Sequence, residues 1–225
     1  MVDPADRGTE GVAHLMRETD RLTIDVDTSQ GVILARQRWF YDWILGPRAT
    51  PWTQAQKRSY HARFEAAILR SWNNRATLRA VGGSAFARSV ARQTFSVRID
   101  IEWVLSNGHW TVTVKKLPAG VFEVSKVNWQ QRRIWLDTND LTLRHFTNGG
   151  VRTRQVPVSH EFGHAFGNVP QRGHGDEYRA DSPYRRDVRS IINVGDSLRP
   201  RHFDHLISEL NQMVPDTRFV VDALR

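Results

Sequence analysis

The sequence contains no cysteine. Its absence excludes disulfide bonds, cysteine-ligated zinc and thiol nucleophiles, and it leaves histidine, aspartate and glutamate as the side chains that can hold a metal. The sequence also lacks an apolar run near the roughly 18 residues that a membrane span needs. The N-terminal stretch MVDPADRGTEGVAHLMRE has no apolar signal-peptide core, so we expect no cleavable secretory signal.

A dense basic tract is also missing, although basic residues outnumber acidic ones. The chain has 32 Lys and Arg against 24 Asp and Glu, a net charge of +8. Such a surface can attract nucleic acid, anionic membranes or acidic proteins. Because the arginines are scattered and no nucleic-acid motif stands out, we expect a merely solvated, mildly basic surface.

Length and composition indicate one globular domain with an N-terminal extension. The 225 residues allow one sizeable core, and the 40% hydrophobic content is that of an ordinary soluble protein. Residues 1–30 are expected to form an arm or extension. Residues 31–225 are expected to form the main domain, with a sheet part that reaches about residue 155 and a lower part over 156–225.

A helix is predicted over residues 53–73. Thr53 and Gln56 fit a capping box, in which each side chain satisfies a free backbone donor of the other residue. Apolar residues then recur every four positions, at Tyr60, Phe64, Ile68 and Trp72.

A largely antiparallel sheet is predicted from alternating apolar and polar residues. The expected strands are 21–26, 95–103, 110–114, 121–127 and 133–137. Asn107-Gly108 is typical of a hairpin turn between two of them. Segment 31–46 is ambiguous between strand and helix, and 138–155 is either a hairpin or an exposed loop.

A C-terminal helix is predicted between Pro200 and Pro215, where apolar residues follow helical spacing. Together with the elements above it indicates an α+β fold. The expected architecture is a mostly antiparallel twisted sheet with a backing helix, a helix near residue 160 and this C-terminal helix.

His160, Glu161 and His164 form an H-E-x-x-H motif. Residues four apart lie on one face of a helix, so both imidazoles can face the same point. Two imidazoles suit zinc, which at catalytic sites usually takes three protein ligands and leaves one position for water. Glu161 would accept a proton from that water, whose pKa the ion lowers.

A third ligand is expected from the loop after this helix. Gly167 is well placed to end the helix, because glycine tolerates the left-handed conformation of a C-cap. The following loop contains three side chains that can bind zinc: His174, Asp176 and Glu177. The residues alone leave the choice among these three open.

The segment HEFGHAFG (160–167) resembles the H-E-x-x-H-x-x-G part of the metzincin zinc-peptidase signature. In metzincins the third ligand stands three residues after the glycine. Pro170, which has no ligating atom, occupies that position here.

The same segment looks like that of bacterial HEFGH…DEY proteins, in which an aspartate is the third ligand. If VPQRGHG is an insertion, Asp176 begins the matching DEY. This resemblance implies that zinc is bound by His160, His164 and Asp176. His174 is the main rival for the third position, and Glu177 is the next.

Residues 190–195 read SIINVG and resemble the S-I-M-N-x-G turn beneath the metal of such proteins. Ile192 stands in the place of the methionine. Because that methionine is an apolar floor rather than a ligand, isoleucine can replace it by packing.

The resemblance also suggests side chains that stabilise the tetrahedral oxyanion. His202 follows the turn at a suitable position, with a surface or helix-capping histidine as the alternative. Tyr178 is a second candidate, with a packing role as its alternative. His205 is expected to be solvated.

As a whole, the resemblance implies a zincin or metzincin-like fold and a zinc-dependent metalloendopeptidase. Its protein or peptide substrate would lie extended along an edge strand of the sheet. The resemblance points to a bacterial protein and to a secreted or injected effector. Residence in the bacterial cytoplasm and export without a cleavable signal both stay open, and the sequence identifies no inhibitor or immunity partner.

Two other functions are also consistent with the sequence. Pro170 and Ile192 depart from the metzincin pattern, which favours a catalytically inactive zincin-like module that binds a partner. Less favoured is a basic protein that binds nucleic acid or the cell envelope.

Overall fold

The computed structural model describes residues 14–121, 123–148 and 150–225. Much of the predicted N-terminal arm therefore lies outside the described residues. Within the described part, no helix is long and apolar enough to cross a membrane.

The described residues form an α+β fold. The strands are β1 (His14–Glu18), β2 (Thr23–Asp27), β3 (Val32–Leu45), β4 (Ala76–Gly82), β5 (Phe95–Val104), β6 (Trp110–Lys116), β7 (Lys126–Asn128), β8 (Arg133–Asp137), β9 (Arg144–Asn148), β10 (Val151–Gln155) and β11 (Thr217–Leu224). The helices are α1 (Gln54–Trp72), α2 (Ala85–Ser89), α3 (Pro157–Ala165) and α4 (Asp204–Asn211). Short 3₁₀ turns cover Pro170–Arg172 and Pro200–Phe203.

The main sheet has nine strands, and its principal order is β11-β4-β5-β3-β6-β8-β7. Strand β3 is its centre, and β2 joins the antiparallel hairpin β1-β2 to it. Five of its eight strand pairings are antiparallel, as predicted for a mostly antiparallel sheet. The sheet is nevertheless mixed, because β3 pairs in parallel with both β5 and β6, and β6 pairs in parallel with β8.

The predicted hairpin at Asn107-Gly108 is wrong. Strands β5 and β6 lie on opposite edges of β3 and run in the same direction, so the chain crosses β3 between them. Asn107 has a φ of 52°, and a Cβ on Gly108 would stand 2.8 Å from the backbone nitrogen of Phe40. The dipeptide therefore provides a close backbone crossing instead of a turn.

The two segments with ambiguous patterns, 31–46 and 138–155, both form strands, and the strand predicted over 121–127 is shorter than expected. Segment 31–46 is the strand β3, and 138–155 contains the antiparallel hairpin β9-β10. Of the predicted strand 121–127, only β7 is regular. Upstream of β7, the backbone N–H of Glu123 donates to Asp137 Oδ2, and the hydroxyl of Ser125 donates to Asp140 Oδ2. These carboxylates hold the segment in an irregular path.

Four helices and strands were not predicted: β1, β4, α2 and β11. Ala76, Thr77 and Leu78 in β4 are all buried, so they leave no alternating pattern. A register shift between Val221 and Ala223 disturbs the alternation of β11.

Residues 14–27, which the sequence assigns to the arm, contribute β1 and β2 to the main sheet. Leu22, Ile24 and Val26 are fully or almost fully buried in the core. The fold therefore has no structural break at residue 30.

Helix α1 begins at the predicted capping box: Thr53 Oγ1 accepts from the backbone of Gln56, and Gln56 Oε1 accepts from the backbone of Thr53. Phe64, Ile68 and Trp72 form its buried face. This face packs on both the sheet and α3, so α1 fixes the position of the helix that contains the H-E-x-x-H motif.

Trp72 is the main contact between α1 and α3. Its indole N–H donates to the carbonyl of Ser159 at 2.9 Å. Its ring lies edge-on to Phe162 and Phe166, with centroids 5.3 and 5.6 Å away. Edge-to-face contacts of this kind add to the free energy of burial and fix the ring orientations.

Candidate metal centre

Helix α3 is short and buried along its whole length. Pro157 stands in its first turn, where the missing N–H costs nothing. The N–H of Val158 donates to the carbonyl of Asp140 at 3.2 Å, which ties the start of the helix to the end of the sheet. The helix is therefore held by its surroundings rather than by intrinsic propensity.

Two glycines allow the close packing around α3. A Cβ on Gly163 would stand 2.3 Å from Ile192 Cδ1, so the absence of a side chain at this position leaves room for the isoleucine. Gly167 has a φ of +115°, and a Cβ there would stand 2.3 Å from the Cβ of His205. Gly167 thus ends the helix, as predicted, and also leaves room for α4.

His160, His164 and Asp176 form one compact group, which we call the triad. The Nε2 atoms of the two histidines are 3.1 Å apart. Asp176 Oδ1 lies 3.2 Å from Nε2 of His160 and 3.0 Å from Nε2 of His164. The ligand atoms of a tetrahedral zinc site lie about 3.3 Å apart. This triad therefore has the dimensions of three corners of such a site.

Backbone carbonyls set the tautomers of both histidines. Nδ1 of His160 donates to the carbonyl of Ile191 at 2.8 Å, and Nδ1 of His164 donates to the carbonyl of Asn168 at 2.5 Å. Since a carbonyl only accepts, each Nδ1 must hold the proton. In the neutral rings both Nε2 lone pairs then face Asp176, and three acceptor atoms meet without a donor among them.

The charges in the triad depend on one another. Burial alone would raise the pKa of Asp176, but the contacts with His160 and His164 outweigh it and hold this pKa far below its usual range. Burial lowers the pKa of His164, yet Asp176 and Glu161 together raise it to about 9. The group therefore favours a positive charge at its centre, which a bound proton or a metal ion can supply.

Glu161 is 7% exposed and lies beside the triad. Burial raises the pKa of its carboxyl, while His160 and His164 act in the opposite direction and Asp176 raises it further. A carboxylate with a raised pKa is a better proton acceptor than a solvated one, as a general base requires.

A cleft runs past the triad on both sides. A cavity of about 690 Å³ includes Glu161, His164, Asp176 and Tyr178 in its wall, together with all of β7. A second cavity, of about 310 Å³, is lined by His160 and again by Glu161 and Tyr178. Both cavities therefore open onto the same carboxylate, an arrangement that can hold an extended ligand across the triad.

Tyr178 stands between the two cavities. Its ring is roughly parallel to that of His160, with centroids 6.3 Å apart, and the residue is 49% exposed. Burial of the phenol and the charge of Asp176 raise its pKa, so the hydroxyl stays protonated and can donate.

The structure does not bring His174 into the triad. Its Nε2 pairs with Asp204 at 2.9 Å, and its ring is parallel to that of Tyr184. Pro170 starts the 3₁₀ turn that separates α3 from this loop. Residues 169–175 thus form a loop that leads away from the triad, and the chain returns to it at Asp176.

Glu177, the third candidate ligand, faces away from the triad and is almost completely buried. Its carboxylate accepts two hydrogen bonds from Arg201, at 2.7 and 2.9 Å. Arg201 also donates to Asp187, which accepts two bonds from Arg199 at 2.7 Å each. We call Glu177, Asp187, Arg199 and Arg201 the ionic cluster.

His202 lies beside the ionic cluster and is 1% exposed. Its Nδ1 accepts from the backbone N–H of Arg199 at 3.0 Å, and its Nε2 donates to Ser190 Oγ at 3.1 Å. The ring therefore caps the 3₁₀ turn over 200–203, in line with the helix-capping alternative, and both nitrogens are occupied away from the cleft.

The expectation that His205 is solvated is wrong. The side chain is 3% exposed and lies edge-on to Trp129, with ring centroids 5.1 Å apart. Burial lowers its pKa to about 4, with a further contribution from Arg172. His205 faces inward because Gly167 leaves space for it.

Gln155 is a supporting residue that sequence reasoning missed. Its side-chain amide donates to the carbonyls of Ile191, Asn193 and Gly195 at 2.9 to 3.1 Å. It thereby fixes the turn whose Ile191 carbonyl orients His160. No motif signals this role, because a glutamine at the end of β10 looks like any polar strand residue.

The chain matches no known family model, and no curated protein or solved structure is significantly similar to it. The resemblance to metzincins therefore depends on the motif residues.

Proposed function

We propose that the chain is a zinc-dependent metallopeptidase of zincin-like architecture. The observation that carries this proposal is the meeting of three acceptor atoms from His160, His164 and Asp176, spaced 3.0 to 3.2 Å apart. A divalent cation would supply the positive charge at their centre in place of the proton that the raised pKa of His164 otherwise retains there. Two imidazoles and a carboxylate form a common ligand set of catalytic zinc.

The residues around the triad support this assignment because they fix the direction of each ligand. The carbonyls of Ile191 and Asn168 hold the two imidazoles with Nε2 inward. Such outer partners raise the basicity of a ligating histidine. Zinc bound here would supply Lewis acidity, which polarises a substrate carbonyl and acidifies water.

Glu161 is the proposed catalytic base. Its carboxylate removes a proton from a water molecule in the cleft while the water oxygen bonds to the carbonyl carbon of the peptide. As the C–N bond breaks, the same carboxyl delivers the proton to the leaving amine. Burial, which raises the pKa of Glu161, makes the carboxylate a stronger base for the first step.

Tyr178 is the proposed oxyanion donor. It lines both cavities and its phenol stays protonated. His202 is a poorer candidate, because Arg199 and Ser190 occupy both of its ring nitrogens.

The substrate is proposed to be an extended peptide along β7. This strand is at the end of the principal strand order and lines the larger cavity beside Glu161. A peptide can add to such an edge through backbone hydrogen bonds, as in β-augmentation.

The proposal is tested by Glu161→Gln, which keeps the size of the side chain and removes the base. We expect zinc content to stay near wild type and peptide hydrolysis to fall by about 100-fold or more. Elemental mass spectrometry and a fluorogenic peptide library measure the two quantities. Near-normal hydrolysis by the variant would contradict the role of Glu161.

The same experiment distinguishes the inactive binding module. In that case the wild-type protein would bind zinc but cleave no peptide in the library, and Glu161→Gln would change neither property.

A further inference from the structure

A second concave surface lies outside the cleft. It begins with a cavity of about 520 Å³, whose wall includes Arg70, Arg75 and Arg154. It continues into a cavity of about 340 Å³, which shares Arg154 with the first and adds Arg152 and Arg189. Arg225 also lines the first cavity, and we call the surface formed by these six arginines the arginine groove. None of the triad residues lines either cavity.

The arginine groove concentrates positive charge. All six of its arginines are exposed, and Asp196 is the only acidic side chain in the wall of either cavity. Arg154 pairs with Asp196 at 2.9 Å but keeps 65% of its side chain exposed. The fold thus gathers arginines that are far apart in the sequence, and the side chains of the groove have a net charge of +5 against +8 for the whole chain.

The floor of the groove is apolar. Leu143 is 45% exposed, and Val156, Ile191 and Leu198 line the same cavity. No phenylalanine, tyrosine or tryptophan lines either cavity. Proteins that bind single-stranded nucleic acid use aromatic platforms for the bases. An apolar floor with an arginine rim instead suits a peptide that has both carboxylates and aliphatic side chains.

We propose that the arginine groove binds an acidic polypeptide segment, with an aliphatic side chain on the Leu143 floor and carboxylates on the arginine rim. Guanidinium groups bind carboxylates through paired, charge-assisted hydrogen bonds. The inference does not depend on the proposed peptidase function, since the groove and the cleft have separate walls apart from Gln155.

An occupant of the groove would contact the support of the triad. Gln155, Ile191 and Gly195 all line the larger cavity of the groove. The carbonyl of Ile191 also orients His160. A bound segment would therefore touch the turn behind one proposed zinc ligand.

The test uses a fluorescein-labelled peptide of four Glu-Glu-Leu repeats and the full chain, with fluorescence anisotropy as the readout. The groove variant is the triple substitution Arg70→Glu, Arg154→Glu and Arg189→Glu. The matched control reverses three exposed arginines elsewhere: Arg58→Glu, Arg98→Glu and Arg218→Glu. Both triples change the net charge equally, and circular dichroism checks that both fold.

We expect the Kd for this peptide to rise by about tenfold or more in the groove variant and by less than about threefold in the control, with weaker binding at high salt. A Glu-Glu-Ser version of equal charge should bind the wild type several-fold more weakly, because it lacks the aliphatic anchor. Equal losses in both triples, or equal binding of the two peptides, would overturn the proposal. So would tighter binding of a 12-nucleotide single strand of DNA, which would assign the groove to nucleic acid.

Discussion

Two groups of ionisable side chains lie close together in the C-terminal part of the chain, and they differ in how their charges are balanced. In the ionic cluster, each carboxylate accepts hydrogen bonds from arginine: Glu177 from Arg201, and Asp187 from Arg199 and Arg201. In the triad, the inward atoms are all acceptors when both imidazoles are neutral and Asp176 is ionised.

The two groups illustrate how a set of charges that stabilises the fold differs from a set that can bind a ligand. A buried group in which each charge is hydrogen-bonded to an opposite charge holds one geometry without a ligand. A buried group whose acceptors meet without a donor is destabilised unless a proton or a metal ion binds among them. Asp176 and Glu177 are neighbours in sequence, yet they belong to these two different groups.

The largest expected effect separates those neighbours. Asp176→Ala should lower zinc affinity by more than about 100-fold, which exceeds the usual loss for an outer-shell partner. Competition for zinc with a chromogenic chelator measures the affinity. His174→Ala is the matched control, because His174 pairs with Asp204, and it should change zinc affinity by less than about threefold. The reverse ranking would make His174 the ligand.

The second effect concerns the stability of the ionic cluster. Arg201→Met removes one side of a buried pair and leaves Glu177 uncompensated, so we expect a loss of about 3 kcal/mol in the free energy of unfolding. Urea denaturation of the metal-free protein measures it. Arg186→Met, at an exposed arginine outside the cluster, should cost less than about 0.5 kcal/mol. Similar values for both variants would mean that the cluster is not structural.

The third effect is a pH dependence in the same cluster. The bonds from Arg199 outweigh burial and, together with Arg201, lower the pKa of Asp187 to about 2. A lowered carboxyl pKa stabilises the fold above the unfolded value near 4 and loses this contribution as the pH falls toward 2.

Asp187→Asn should therefore be less stable than wild type at pH 6, by roughly 1 to 2 kcal/mol after allowance for solvent screening. The difference should shrink as the pH falls from 4 to 2. Urea denaturation of both proteins across this range measures it, and a difference that grows on acidification would contradict the assignment.

The smallest effect concerns the floor of the triad. Ile192 is completely buried against Gly163, and Ile192→Met introduces the methionine of the metzincin turn that residues 190–195 resemble. Because the exchange nearly conserves volume, we expect a stability change below about 1.5 kcal/mol and, at the proposed site, a change in zinc affinity of less than about threefold. Calorimetry and the chelator assay measure both. A large rise in zinc affinity would mean that isoleucine impairs the site.

The parts of the site that sequence could predict are those set by local spacing. His160 and His164 share a helix face because they are four apart, and Gly167 ends that helix because of its backbone freedom. The capping box of Thr53 and Gln56 likewise acts within four residues.

The parts that sequence could not predict depend on contacts between distant segments. Asn107-Gly108 looks like a hairpin turn, but whether it turns or crosses depends on Phe40. Gln155 supports His160 only because the 190–195 turn folds over it. The six arginines of the arginine groove look scattered in the sequence until the fold brings them together.

The central claim is that the triad binds zinc, and the most direct measurement is the zinc content of the purified chain. Elemental mass spectrometry on the wild type, after supply of zinc and removal of excess, should give about one zinc per chain. His164→Ala should give almost none, and Glu177→Gln, in the ionic cluster, should keep the wild-type value. A wild-type chain without bound zinc, or zinc that persists in His164→Ala, would contradict the claim.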